Sequence, residues 1–207
     1  MMNTREKRHE KMIRYTVIMV IGVLLNELFS TLCTAFSLPL WMDTVGTAFV
    51  AMTLEPAAGL IVGLVNNFYL ALFVYKDNST LIYYAVSAAV ALFFGLLMRK
   101  DGKIVLKRIF LTIGAVALTS AILSTAITVW RDGGIPTSVW EIRFFTDAIH
   151  KGVPKIFACL YGVFLVKIFD SIVVGGATVL LYLLVPKKIR NAETRATTAA
   201  ANITIHT

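Results

Sequence analysis

The chain has 207 residues, of which 57% are hydrophobic and only 15% are charged. Soluble domains carry about 45–50% apolar and about 25% charged residues, so this composition excludes an ordinary water-soluble core. The net charge of +8 is compatible with a nucleic-acid partner, but the basic residues lie between the apolar stretches and not in a patch of their own. We therefore predict a membrane protein surrounded by lipid, with no nucleic acid bound.

Six apolar stretches follow one another along the chain, each near the length of about 20 residues that crosses about 30 Å of hydrocarbon. They predict membrane-spanning helices at residues 12–34, 40–54, 57–74, 80–98 and 109–130, with a last one ending near residue 186. The predicted fold is an all-α bundle of six transmembrane helices over residues 12–186, after a basic segment at 1–11. The Thr- and Ala-rich tail at 187–207 is predicted to be disordered.

The basic residues favour one side of the membrane. With the N-terminus inside, 14 of the 20 Lys and Arg residues fall in cytoplasmic segments, five in external loops and one within the last span. Because cytoplasmic loops are enriched in Lys and Arg, both termini are predicted to be cytoplasmic. The first span is interpreted as a retained helix and not as a signal peptide, because no small-residue cleavage site follows it.

The external segment at residues 139–150 predicts an amphipathic helix. At 100° per residue, Arg143, Asp147 and His150 share one side, and apolar residues fill the other. An interfacial helix outside the bundle fits this pattern, and a lid is one interpretation of it.

Polar side chains within the predicted spans are concentrated in the outer half of the membrane. A charge at the bilayer centre costs about 2.5 kcal/mol or more, so such groups usually face a bundle interior or a wet cavity. We therefore predict a polar pocket that opens to the outside. Because these residues include both acidic and basic side chains, the ligand could be either a cation or an anion. The residues concerned are Asn26, Glu27, Asp43, Asn66, Asn67, Lys167 and Asp170.

Several of these residues also have a purely structural interpretation. Helix capping would explain Asp43. Lys167 and Asp170 lie three residues apart on one helical face, where mutual neutralisation would explain them. Asn66 and Asn67 would serve equally well as hydrogen bonds between helices.

Glu27 is the hardest to explain in this way, because no basic residue lies near it in the sequence. Its partner is expected to come from another helix, a bound cation or a proton. Trp41, with Trp130 and Trp140, falls at the predicted outer interface, where an aromatic belt is the usual reason for tryptophan and ligand stacking the rarer one.

Motifs for catalysis and metal binding are missing from the sequence. It contains no G-x-x-x-x-G-K-[ST], H-E-x-x-H or C-x-x-C pattern, and the three histidines lie outside the spans. We predict no catalytic residues, no metal site and no cofactor, so the chain is not expected to be an enzyme.

Two neighbouring segments carry a family resemblance. Residues 38–47 read LPLWMDTVGT, and residues 55–67 read EPAAGLIVGLVNN. This pair resembles a pattern in the small substrate-binding (S) components of energy-coupling factor (ECF) vitamin transporters, which reads roughly as LPLYLDTIGT followed by GPxxGxxVGxxTN. The match covers residues 35–70 well and the rest of the chain by topology alone.

The resemblance implies a subunit of a prokaryotic plasma membrane that captures a vitamin or related micronutrient from outside. Its partners would be a coupling membrane subunit and two cytoplasmic ATPase subunits, and the loops joining helices one to two and three to four would act as gates. One departure is that residues 17–26 lack the A-x-x-x-A pair with which many such subunits dock the coupling protein. By position, the outer pocket would be lined or supported by Trp41, Asp43, Asn66 and Asn67, with Lys167 and Asp170 nearby.

Two other functions stay open. A related six-helix region begins some membrane sensor kinases, so a ligand sensor or accessory protein is one alternative. A small autonomous ion-coupled transporter is the other, and it would explain Glu27 through proton or cation coupling. No inverted repeat supports this second alternative.

Overall fold

The computed structural model describes residues 4–100 and 103–186. The predicted disordered tail at 187–207 lies outside the described residues. A π-helical turn at Leu70–Val74 continues the third helix, and 3-10 turns at Asn78–Tyr83 and Leu106–Arg108 precede the fourth and fifth. Strands β1 (Arg99–Lys100) and β2 (Lys103–Ile104) form a short antiparallel hairpin. The helices are α1 (Thr4–Ala35), α2 (Val45–Thr53), α3 (Pro56–Tyr69), α4 (Tyr84–Leu96), α5 (Ile109–Arg131), α6 (Val139–His150) and α7 (Lys155–Leu184).

Five helical stretches are long and apolar enough to cross a membrane, so the chain is an all-α, multi-pass membrane protein. This confirms the predicted class, but the predicted count of six spans is not confirmed. The predicted span at 40–54 is helical only over the nine residues of α2, which extend about 13 Å and cross less than half of the hydrocarbon core. The five stretches are Arg8–Ala35, Pro56–Val74, Asn78–Leu96, Leu106–Arg131 and Lys155–Leu184.

The short helix α2 lies at the centre of the bundle, and all nine of its residues are buried. Gly46 packs so closely against the backbone of Gly22 in α1 that no Cβ would fit between the two helices. Gly59 of α3 similarly leaves no room for a Cβ against Ala51 of α2. Small residues therefore let α1 and α3 approach α2 on two sides, as they often do between membrane helices.

The chain returns into the bundle before α2 begins. Asn26 of α1 accepts hydrogen bonds from the backbone N–H groups of Gly46 and Thr47, at 2.7 and 3.2 Å. Because Asn26 lies nine residues before the end of α1, α2 starts about 13 Å below that end. Residues 36–44 are non-helical, and after the exposed positions 36–38 they lie inside the bundle, where such backbone is tolerated only if protein buries it or if it lines a cavity.

The carboxyl end of α2 is held from the opposite end of the bundle. The guanidinium of Arg99, just after α4, donates hydrogen bonds to the backbone carbonyls of Ala51, Met52 and Leu54. These bonds satisfy carbonyl groups that the short helix leaves without internal partners. The chain thus crosses from one end of the bundle to the other, first as the non-helical segment 36–44 and then as α2.

The helix predicted at residues 139–150 is confirmed as α6. Its charged side chains Arg143, Asp147 and His150 are exposed, as the sequence predicts. The other side packs on α7, where Gly162 leaves no room for a Cβ beside the carbonyl oxygen of Glu141. An interfacial location and a lid role for α6 stay predictions.

Candidate ligand-binding cavity

A cavity of about 450 Å³ lies among α3, α4, α5 and α7, and the 36–44 segment and α6 complete its wall. This volume is within the range of about 300–1,000 Å³ that is typical of small-molecule sites. One end of the cavity lies at mid-bundle, and the other reaches the connections at 75–83 and 131–139. The non-helical backbone before α2 therefore lines a cavity, which explains how it is tolerated at membrane depth.

Five of the eight residues predicted from the sequence for the pocket line this cavity, and they come from three separate parts of the chain. Asn26, Asn66 and Glu27 do not line it. Whether the lining residues contact a ligand stays a prediction. The five are Trp41, Asp43, Asn67, Lys167 and Asp170.

Asp170 of α7 holds the turn that precedes α2. Its Oδ1 atom accepts hydrogen bonds from the backbone N–H groups of Trp41 and Met42, each at 2.9 Å. Met42 has a φ of +50°, a conformation that costs energy for a residue other than glycine and that therefore needs support from its surroundings. The Asp170 carboxylate supplies this support and fixes the side chains of Trp41 and Asp43 at the cavity wall.

Lys167 does not neutralise Asp170, so that structural interpretation of the pair is wrong. Within the described part of the chain, no carboxylate lies within 4.0 Å of the Lys167 ammonium. Its Nζ atom lies 5.8 Å from the centre of the Trp41 ring, a cation–π distance. Lys167 therefore presents a positive charge to the cavity without a paired acid.

Glu141 of α6 is a lining residue that the sequence reasoning missed. Its side chain is buried, and its Oε1 accepts a hydrogen bond from the Trp41 indole N–H at 3.4 Å. Burial raises the pKa of Glu141, and the neighbouring Lys167 and the Trp41 hydrogen bond partly oppose that effect. A signal was present, because Glu141 lies on the apolar side of the helical wheel, where an acid has no reason to be unless it meets a polar partner.

A row of hydroxyl groups on α5 was also missed. Ser120, Ser124 and Thr128 recur every four residues, so they share one side of the helix, and all three are buried and line the cavity. Among the described residues, the Oγ atoms of Ser120 and Ser124 have no hydrogen-bond partner. The four-residue spacing was a signal in the sequence, although α5 also carries Thr112, Thr119 and Thr125 outside this row.

An ion pair lies at the end of the cavity formed by the connecting segments. The Arg131 guanidinium at the end of α5 contacts Asp77 Oδ2 at 2.7 Å. Hydrogen bonds from Ser79, with the nearby Arg131, lower the pKa of Asp77 below its ordinary value. The pair joins segment 75–83 to α5 across the cavity. The sequence could not predict it, because the two residues lie in different loops.

Asn66 and Asn67 mainly connect structural elements. Asn67 donates hydrogen bonds to the Gly63 carbonyl at 2.8 Å and to Ser87 Oγ of α4 at 2.7 Å. Asn66 donates to the backbone carbonyl of Asp43 at 3.2 Å and so helps hold the turn before α2. The interpretation as a hydrogen bond between helices is confirmed for Asn67, through Ser87, whereas Asn66 bonds a non-helical turn.

Glu27 lies on α1, partly buried and away from the cavity lining. Its Oε1 atom has no hydrogen-bond partner in residues 4–100 and 103–186. Asp43 is close enough to interact with it electrostatically. The predicted partner from another helix is therefore not found among the described residues.

Comparisons with protein-family models, curated proteins and solved structures find no match for this chain. Among its described residues, no group of three or more His, Cys, Asp and Glu side chains is arranged to hold a metal ion. The cavity lining is polar, partly charged and partly aromatic.

Proposed function

We propose that the chain is the membrane-embedded substrate-binding subunit of an ECF-type importer in a prokaryotic plasma membrane. It captures a vitamin or related micronutrient from outside, and a coupling membrane subunit with two cytoplasmic ATPase subunits drives the uptake. The observation that carries the proposal is the cavity of about 450 Å³ inside a membrane bundle, lined by residues of the two segments that resemble this family.

The composition of the cavity supports binding over simple packing. Asp43, Lys167 and Glu141 bring ionisable side chains to it, and none of the three is in an ion pair within the described residues. Leaving charges in a membrane bundle is costly, so a function that uses them is expected. A bound molecule with complementary groups would offset this cost.

The distribution of basic residues supports an outward-facing cavity. Arg99 and Arg108 lie at the end of the bundle where α4 is followed by α5, and this end is cytoplasmic by the positive-inside rule. Asp77 and Arg131 lie at the opposite ends of the same two helices, beside the cavity. The cavity would therefore take its ligand from the outside.

Purification of the full chain from bacterial membranes in a mild detergent, followed by native mass spectrometry, tests this function. We expect a bound molecule of a few hundred daltons and co-purifying ATPase subunits. The same preparation of an Asp43→Asn variant should lose the bound molecule, while the exposed Asp147→Asn variant should retain it. Ligand binding without any associated ATPase would instead favour a sensor or accessory protein.

An autonomous ion-coupled transporter is a second candidate, and the unpartnered carboxylate oxygen of Glu27 favours it. Reconstitution of the chain alone in liposomes with an internal pH indicator separates the two. Collapse of an imposed pH gradient by the parent chain, but not by a Glu27→Gln variant, would support the transporter and contradict the importer subunit.

A further inference from the structure

The cavity has more acidic than basic side chains. Four carboxyl groups line it, and two basic side chains, Arg131 and Lys167, oppose them. The formal charge of the lining is therefore negative by two. In a membrane bundle such an excess is expensive unless something with a positive charge offsets it. The four acids are Asp43, Asp77, Glu141 and Asp170.

Most of these acids already have partners. Asp77 is paired with Arg131 at 2.7 Å, and Asp170 accepts two backbone N–H groups at 2.9 Å. Glu141 accepts the indole N–H of Trp41. Asp43 differs from all three, since no other described residue donates a hydrogen bond to its carboxylate or forms an ion pair with it. Lys167 is close enough to act on Asp43 electrostatically but forms no ion pair with it, so Asp43 is the lining acid still available for a direct contact.

Aromatic side chains line the same cavity. Trp41 lies two residues before Asp43 and also lines the cavity, as do Tyr75 and Tyr83. Tyr75 is close enough to interact electrostatically with both Asp43 and Tyr83. The face of an aromatic ring attracts a cation within about 6 Å, and several rings beside a carboxylate are a recurrent arrangement for binding cationic nitrogen.

We propose that the ligand is a small molecule carrying a cationic nitrogen, which binds at the Asp43 carboxylate beside the rings of Tyr75 and Tyr83. This assignment rests on the proposed binding function and names the charge class of its substrate. A purely anionic ligand at Lys167 would increase the negative excess of the cavity. A cation reduces it and supplies the partner that Asp43 lacks.

The experiment uses the detergent-purified full chain and a yeast metabolite extract divided by ion exchange into cationic, neutral and anionic pools. Thermal unfolding is recorded with each pool. We expect the cationic pool to raise the unfolding temperature of the parent chain. For Asp43→Asn, at least about tenfold more of this pool should be needed for the same increase, because a charge-assisted contact is lost. The matched Asp147→Asn variant, on the exposed side of α6, should respond like the parent.

A Lys167→Met variant provides a test of opposite sign. Removing its ammonium makes the cavity more negative, so the cationic pool should stabilise this variant at equal or lower amounts than the parent chain. A weaker response would overturn the proposal, and this holds even if Asp43→Asn does not fold.

The possible failures are distinguishable. Stabilisation by the neutral or anionic pool alone would overturn the charge class and leave the binding function intact. An unchanged response in a folded Asp43→Asn variant would overturn the assignment of Asp43. If none of the three pools stabilises the parent chain, both the charge class and the binding function are contradicted.

Discussion

Replacing Asp170 with alanine should destabilise the protein strongly, because its carboxylate holds the turn before α2. The substitution leaves the N–H groups of Trp41 and Met42 without their acceptor. Each buried N–H left unpaired costs about 1–3 kcal/mol, so we expect a loss of about 2–6 kcal/mol. Water entering the enlarged cavity would move the loss towards the lower value.

Asp170→Asn is the informative comparison, because asparagine keeps one oxygen acceptor and removes the charge. Hydrogen bonds to a charged acceptor contribute about 1 kcal/mol more than neutral ones, so two such bonds predict a loss of about 2 kcal/mol. Equilibrium unfolding in detergent with added denaturant, followed by circular dichroism, measures both variants. Asp147→Ala is the control, since an exposed substitution should change stability by about 0.5 kcal/mol or less.

The order of stability of the three variants tests whether the Asp170 carboxylate holds the turn before α2. The alanine variant should be least stable, the asparagine variant intermediate, and the Asp147→Ala control close to the parent. Equal stability of Asp170→Ala and Asp170→Asn would mean that the two backbone hydrogen bonds contribute little. The turn before α2 would then be held by packing alone, contrary to our reasoning.

Two further predictions concern packing and pH. Gly46→Ala should prevent α1 from seating against α2 and give little folded protein by size-exclusion chromatography. A Cβ added at Gly114 in α5 has no neighbouring atom within 4 Å, so Gly114→Ala should leave stability unchanged or raise it by up to about 1 kcal/mol. Equal amounts of folded protein from the two variants would contradict this expectation. Hydrogen bonds from Ser79, and also Arg131, lower the pKa of Asp77 in the folded chain. The ionised Asp77 therefore stabilises the fold at pH values above its unfolded pKa of about 4, and this stabilisation is lost as the pH falls through the lowered pKa. Between about pH 5 and pH 3 the unfolding temperature of the parent chain should therefore fall more than that of Asp77→Asn, and an equal fall would contradict the lowered pKa of Asp77.

The spans could be predicted from the sequence because burial in lipid demands long apolar helices, and five of the predicted stretches are such helices. The exception is the stretch at 40–54, whose apolar composition resembles that of a span. Its first five residues are not helical because Asp170 binds the backbone of Trp41 and Met42, residues that lie almost 130 positions away in the chain. A pattern of local hydropathy contains no information about such a contact.

The site was predictable to the extent that its residues were unusual for their surroundings. Asp43 and Lys167 are charges within apolar stretches, and both line the cavity. Glu141 was passed over because its helix was expected outside the bundle, where acids are ordinary. The pair of Asp77 and Arg131 could not be predicted either, because charged residues in loops are usually solvated. A charged residue therefore indicates a site in the sequence only where it lies within an apolar stretch, because burying a charge there costs free energy.

The two walls of the cavity differ in how firmly they are held, and under the proposed binding function this difference predicts where a ligand would enter. The turn that carries Asp43 is bound by Asp170 through two N–H groups and by Asn66 through the Asp43 carbonyl. The opposite segment at 75–83 is joined to α5 by the ion pair of the exposed Asp77 and the half-buried Arg131. Ion pairs near the surface contribute little stability and are weakened by salt. Opening at segment 75–83 therefore costs less than movement of the Asp43 turn. If the acid stays fixed while segment 75–83 opens, a ligand of the proposed kind would meet a preorganised charge at little cost in ordering it.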